Sequence, residues 1–227
     1  MKKAYRFETH FHTKESSPCG CVPAAESVRK YYESGYDGIV ITDHFSAGVL
    51  GSEGGTSWQT AMDRFLKGYW AAKNEGEKLG LTILLGAEFR FPGNYNDFLV
   101  YGLSEDFLRG WEWLYEASLQ SFFPIADKLG FAVVQAHPFR AECYRENPAY
   151  LHGIEVFNGN PRHNSKNMLA KEWAQKYGLL ESAGSDFHKM EDLAGASVLL
   201  GKRPRTSLEF AHLLRERAYR LETRRKL

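Results

Sequence analysis

The chain has 227 residues, 43% of them hydrophobic and 25% charged, a balance that supports one sizeable buried core and argues against long disorder. A formal net charge of +1 gives no global field for nucleic acid or an anionic membrane, which argues against a dedicated DNA-coating role but not against a small phosphorylated substrate. Cys19, Cys21 and Cys143 make no disulfide framework, no apolar run is long enough to span a bilayer, and Met1–Glu8 lacks a signal-peptide core, so a cytoplasmic setting with reduced thiols is expected.

An apolar run at Tyr5–Thr9 predicts the first strand, and Pro23 suits the opening turn of a helix over Pro23–Ser34 that Gly35 ends. Gly38–Thr42 predicts the second strand. The Gly/Ser-rich stretch Gly48–Ser57 reads as a loop, and a helix over Trp58–Leu79 stops at Gly80. Strands follow at Thr82–Phe89 and Phe98–Gly102, then a helix over Phe107–Leu129 and strands at Phe131–Gln135 and Gly153–Phe157. A helix over Asn164–Tyr177, strands at Leu179–Ala183 and Ala196–Leu199 and a helix over Ser207–Tyr219 complete the set. Alternating strands and helices predict an α/β fold with a mainly parallel sheet, closed into a compact β/α barrel; an open doubly wound sheet is the alternative. No repeat or linker divides residues 1–227, which read as one catalytic domain. The basic end, Arg224-Arg225-Lys226, reads as a solvated terminus.

The informative feature is where the histidines fall. His10 and His12 end the first predicted strand, His44 follows the second directly after Asp43, His137 ends the Phe131–Gln135 strand, and His188 follows Leu179–Ala183 two residues after Asp186. Glu88 ends the Thr82–Phe89 strand. Barrel active sites are built at these strand ends, so residues distant in sequence converge there. One residue separates His10 from His12, and on an extended backbone both point to one side, where two imidazoles can chelate one ion; Asp186 and His188 repeat the spacing. Imidazoles and carboxylates in one cleft are costly unless something binds them, and together they suit zinc, manganese or iron. Glu88 can bridge two ions, which can activate water and polarise a phosphoryl oxygen. Arg140 and Arg162 follow strand ends on the same side, where guanidinium groups suit bidentate phosphate contact. His163 is similarly placed. Trp111, Trp113, Tyr115, Phe122 and Phe123 read as core or pocket wall rather than a base-stacking platform.

The runs His10-Phe11-His12-Thr13, Ile41-Thr42-Asp43-His44, Gly86-Ala87-Glu88, Ala136-His137-Pro138 and Gly184-Ser185-Asp186-Phe187-His188 resemble, in order and over nearly the whole chain, the PHP (polymerase and histidinol phosphatase) family. The resemblance implies a distorted seven-stranded, TIM-like β/α barrel with two or three divalent metal ions. Carried over by motif, His10, His12, Glu88 and Asp186 hold one ion, Glu88 and His137 a second, and His44 and His188 a third. The chain departs from the family's pattern twice. Glu15–Cys21 stands where relatives carry a further histidine, with Cys19 as its candidate substitute, and Asp97 stands where relatives carry a second-ion histidine. The expected function is metal-dependent hydrolysis of a small phosphate ester by an activated hydroxide. His188, Asp43, Arg140 and Arg162 are the catalytic candidates, and nucleic acid is the less favoured partner. The competing readings are an amidohydrolase-like hydrolase, against which no lysine ends a strand, and a non-catalytic metal-binding accessory domain.

Overall fold

The computed structural model describes residues 4–51 and 56–223, so part of the Gly48–Ser57 loop and the basic Arg224-Arg225-Lys226 end lie outside the described residues. The elements run β1 (Tyr5–Glu8), α1 (Ala24–Glu33), β2 (Gly38–Ile41), β3 (His44–Phe45), α2 (Ala47–Leu50), α3 (Trp58–Leu79), β4 (Thr82–Phe89) and β5 (Phe98–Tyr101). Then come α4 (Glu105–Gly110), α5 (Leu119–Lys128), β6 (Ala132–Gln135), β7 (Gly153–Asn158), α6 (Asn167–Tyr177), β8 (Leu180–Gly184), β9 (Ala196–Leu200), α7 (Ser207–Arg215) and β10 (Tyr219–Thr223). Local chemistry sets the ends. Ser57 caps α3 by accepting from the Thr60 N–H, and Gly80 at φ 71° stops it, a left-handed turn that glycine adopts without strain.

Two predicted helices are shorter than expected. The helix expected over Phe107–Leu129 breaks after Gly110, because Ser118 and Ser121 form a reciprocal capping box that starts α5 afresh. The helix expected to reach Tyr219 ends at Arg215; Arg217 at φ 55° turns the chain, and Tyr219–Thr223 pair antiparallel with β9.

Among the described residues the sheet has ten strands in the order β10-β9-β1-β2-β4-β5-β6-β7-β8, with β3 continuing the line of β2 along β4. At the mouth the ring closes directly. The segment after β1 bridges the segment after β8 at Phe11 and Phe187, and the His12 N–H donates to the Phe187 carbonyl at 3.0 Å. The expected ring is therefore present there as β1, β2 with β3, β4, β5, β6, β7 and β8. Lower down, β9 and β10 widen the sheet beyond it. The sheet is less parallel than expected: β5 runs antiparallel to both β4 and β6, and β9 is antiparallel to β1. Residues 90–97 are too few for a helical crossover, so β4 and β5 form a hairpin.

Phe7, Tyr101, Val134, Val198 and Phe210 belong to one buried apolar cluster, in which Phe210 of α7 packs on Phe7 and Tyr101. A larger cluster lies between sheet and helices, where Phe11 and Phe187 stack at 4.8 Å. This pair turns its rings into the packed layer, leaving the neighbouring histidines to the mouth.

Candidate metal centre

The sequence-predicted ligands meet at the mouth. Potential ligand atoms of His10, His12 and Asp186 lie within 4.8 Å of one another, as do those of His10, Glu88 and His137, and those of His12, His44 and His188. Backbone geometry explains the convergence. His44 pairs with Glu88 in the β3–β4 ladder, and the Phe11–Phe187 bridge sets His10 and His12 beside Asp186 and His188. Gly184 is required by this approach, since a Cβ there would lie 2.4 Å from the His10 Cβ. His137 at φ 29° and Asp186 at φ 52° occupy backbone conformations rare for residues with side chains.

Four rings are each held at Nδ1 by a group that is not one of the candidate ligand atoms. His10 Nδ1 lies 2.8 Å from Glu155 Oε1, His12 Nδ1 3.3 Å from Ser17 Oγ, His137 Nδ1 3.8 Å from Cys143 Sγ, and His188 Nδ1 2.9 Å from the Asp186 carbonyl. Each then has only Nε2 left for the centre. His10 Nε2, His12 Nε2 and Glu88 Oε1 are buried with no hydrogen-bond partner. Glu88 is 1% exposed, and its oxygens lie 3.2 Å from His10 Nε2, 3.3 Å from His12 Nε2, 3.3 Å from His137 Nε2 and 2.9 Å from His44 Nδ1. Burial opposes charge on Glu88, yet His10 and His44 hold its carboxyl well below the usual range. Burial opposes Asp186 likewise, and His10 and Arg140 hold it low. Convergent imidazole nitrogens around ionised carboxylates, one of them with an orphaned oxygen on Glu88, fit divalent cations.

Other predicted residues are placed differently from one another. Asp43, a catalytic candidate, is buried behind the ligands: its oxygens accept from the Thr13 N–H and hydroxyl and, at 2.6 Å, from Ser17. Ser17 in turn approaches His12 and accepts from the His44 N–H, so Asp43 acts through Ser17 to position both rings. Asp97 reaches the mouth because β5 is reversed, but Arg90 grips both its oxygens at 2.7 and 2.6 Å and it joins none of the three ligand groups. Arg140 donates to Asp186 Oδ2 at 2.6 Å, while its buried Nε has no partner. Arg162 is clasped by Asp192, which also accepts from the His188 N–H. Cys19 lies by His44 and His188; burial pushes its thiol up, but hydrogen bonds with these two rings prevail and bring it down to about 6. Cys19, Asp97, Arg140 and Arg162 line a cavity of about 410 Å³ together with the ligand candidates His44, Glu88, His137, Asp186 and His188, and His163 and Lys189 are on its wall.

Sequence reasoning missed Glu155, Glu8 and Arg90. Glu155 of β7 is fully buried; beside holding His10 it accepts from the His137 N–H and from Asn158 Nδ2. Glu8 accepts from the Thr9, His10 and Ser185 N–H groups and from the Ser185 and Tyr31 hydroxyls, tying the two ligand-bearing segments together. The available signal was a glutamate inside an otherwise apolar strand, as in Gly153-Ile154-Glu155-Val156-Phe157. Carboxylates that orient a ligating imidazole typically matter about 10–100-fold for metal affinity. Glu155→Gln should therefore weaken cation binding by about that factor without unfolding the protein, as read by competition with a chromophoric chelator; unchanged affinity would leave Glu155 a packing residue only.

Residues 164–219 match the PHP-associated family model. No curated protein matches the chain by sequence. Among solved structures, a two-domain protein from Bacteroides vulgatus containing a predicted PHP-like metal-dependent phosphoesterase superposes with a TM-score of 0.68 at 20% identity. The alignment covers 97% of this chain and 65% of that one, so the chain spans less than two thirds of that protein. PsfC from Pseudomonas syringae gives 0.65 at 17% identity, over 92% and 88% of the two chains. An amidohydrolase from Chromobacterium violaceum, with bound sulfate and no metal, gives 0.54 at 17% identity, over 90% and 96%. At these identities the likeness is one of fold.

Proposed function

We propose that this chain is a PHP-type protein and that its mouth cavity is the active site of a metal-dependent hydrolase acting on a small phosphate ester, a reading its fold and its C-terminal match support. The observation that carries this reading is the convergence of orphaned buried imidazole and carboxylate atoms beside Arg140, whose Nε is itself unpaired. His10, His12, Glu88 and Asp186 would hold one cation, Glu88 and His137 a second, and His44 and His188 a third. Cations so held polarise phosphoryl oxygens and make water acidic enough to attack at neutral pH. The chain's own groups do the rest. Arg140 offers Nε to a phosphoryl oxygen while its NH2 stays on Asp186, so the cation is oriented before substrate arrives. Arg162, fixed by Asp192, presents positive charge from the neighbouring loop after β7. His188 has one free nitrogen, so it serves a cation or protonates the leaving oxygen, not both.

The third position would need another donor, because His10 and His12 each have one ring nitrogen to give and both would be used by the first cation. Cys19 supplies it, giving a sulfur-containing set that favours zinc-like ions there. In cobalt-loaded protein a thiolate-to-cobalt charge-transfer band should appear in the near ultraviolet and vanish in Cys19→Ser. No such band in the wild type removes Cys19 from the site.

The reaction class is tested by metal analysis with a phosphomonoester and phosphodiester screen. Phosphate release abolished by chelator and restored by manganese or zinc is expected. A fully loaded protein inert on every phosphoester, yet cleaving an amide or lactone, would overturn the phosphoesterase reading in favour of amidohydrolase chemistry.

A further inference from the structure

A second cavity, of about 480 Å³, lies where α6 begins, lined by residues 157–160 and 163–169. His163 lines both this cavity and the metal cavity. Asn158 joins them physically: its Nδ2 donates to Asp186 Oδ2 at 3.2 Å, while its backbone is clasped by the Asn167 side chain.

The chemistry of this cavity is one-sided. No aspartate or glutamate lines it, whereas Lys166 and His163 do, and Lys166 makes no ion pair among the described residues. Helix α6 has no side-chain cap, since Lys166 occupies the capping position at φ 49° and Asn167 is turned back onto Asn158. The first backbone N–H groups of an uncapped helix need acceptors, and its dipole favours negative charge. Independently, Ser165 on the cavity wall is 4% exposed, yet its buried hydroxyl has no hydrogen-bond partner. An orphaned hydroxyl one residue before the uncapped helix start and an ammonium without an ion pair, on residues that line one cavity, suit an oxyanion.

We propose that this cavity is an oxyanion subsite, formed by Ser165, Lys166 and the Asn167 and Met168 N–H groups, that receives a second anionic group on the substrate. Its use during turnover rests on the phosphoesterase reading, whereas oxyanion binding does not. Substrates would then be small molecules bearing a phosphate ester at one end and a phosphate or carboxylate at the other.

The test titrates zinc-loaded, nitrogen-15-labelled protein with inorganic sulfate, and separately with acetate, following backbone amide resonances. Saturable downfield shifts of the Asn167 and Met168 amides are expected. Ser165→Ala and Lys166→Ala should each weaken that binding by about tenfold, the usual scale for a hydrogen bond to a charged group. A stronger response to sulfate assigns the second group as phosphate, and a stronger response to acetate assigns it as carboxylate. Shifts confined to amides around the metal ligands, or none with either anion, overturn the subsite. Kinetics supply the second arm: kcat/KM for a phosphoester with an anionic tail should exceed that for its neutral-tailed analogue by about tenfold, with the advantage lost in Lys166→Ala. Equal values overturn the substrate assignment. A protein that hydrolyses no phosphoester yet shows the amide shifts refutes the reaction class and upholds the anion site.

Discussion

Glu88→Gln should strip the centre of metal at more than one position in a single step. Glu88 lies within 3.3 Å of His10, His12, His44 and His137, so in the proposed centre its two oxygens would serve neighbouring cation positions together. The amide preserves size and burial but removes the negative charge and turns one acceptor into a donor facing imidazole nitrogens. The proposed cations would then lose the carboxylate that offsets their charge. Loss of bridging costs several kcal/mol of transition-state stabilisation, so turnover should fall about a thousandfold or more. A linked thermal effect is expected too. Cations that bind only the folded chain raise its melting temperature, so chelator should lower the wild-type transition while barely moving the variant's. Full metal content in Glu88→Gln, measured by elemental analysis, would remove Glu88 from the bridge.

Arg140→Ala is the second large effect. The guanidinium is held between Asp186 and Asn158, with Nε buried and unpaired. Losing such a preorganised donor to a developing phosphoryl charge typically costs about 3 kcal/mol, roughly a hundredfold in kcat. Metal content should stay unchanged, because Asp186 keeps His10 beside it. Arg140→Lys restores charge without the planar fork and should recover only part of the loss. Wild-type turnover in Arg140→Ala would mean that the phosphate is gripped elsewhere on the wall.

The parts of the site carried by strand ends were legible in the sequence, because one-residue spacing and strand-end position determine where His10, His12, Asp186 and His188 meet. What escaped was set by partners rather than by position. Asp97 looks like a ligand until Arg90 is seen to take both its oxygens, and Asp43 looks catalytic until Thr13 and Ser17 are seen to enclose it. Glu155 is marked only by being a charge in a buried strand. In the fold, the alternation of strands and helices was readable, but the reversal of β5 was not drawn from it, although residues 90–97 leave no room for a crossover. The break before α5 depends on a Ser118–Ser121 exchange that helical periodicity does not register.

The ring is closed by pairings of very different reach. Along β4 and β5, Phe89 meets Phe98 and Gly86 meets Tyr101, closing short loops, whereas Phe11 must find Phe187 and Tyr5 must find Leu200. Closing a short loop loses less chain entropy than closing a long one, so the hairpin carrying Glu88 is kinetically favoured over the seam between the chain's two ends. The centre straddles that seam: His10 and His12 come from one side of it, Asp186 and His188 from the other. During synthesis, a chain not yet extended through His188 has Glu88 and His137 but lacks the wall opposite them. Cation capture is then a late event in folding, and retention of metal becomes a direct readout of whether the ring has shut.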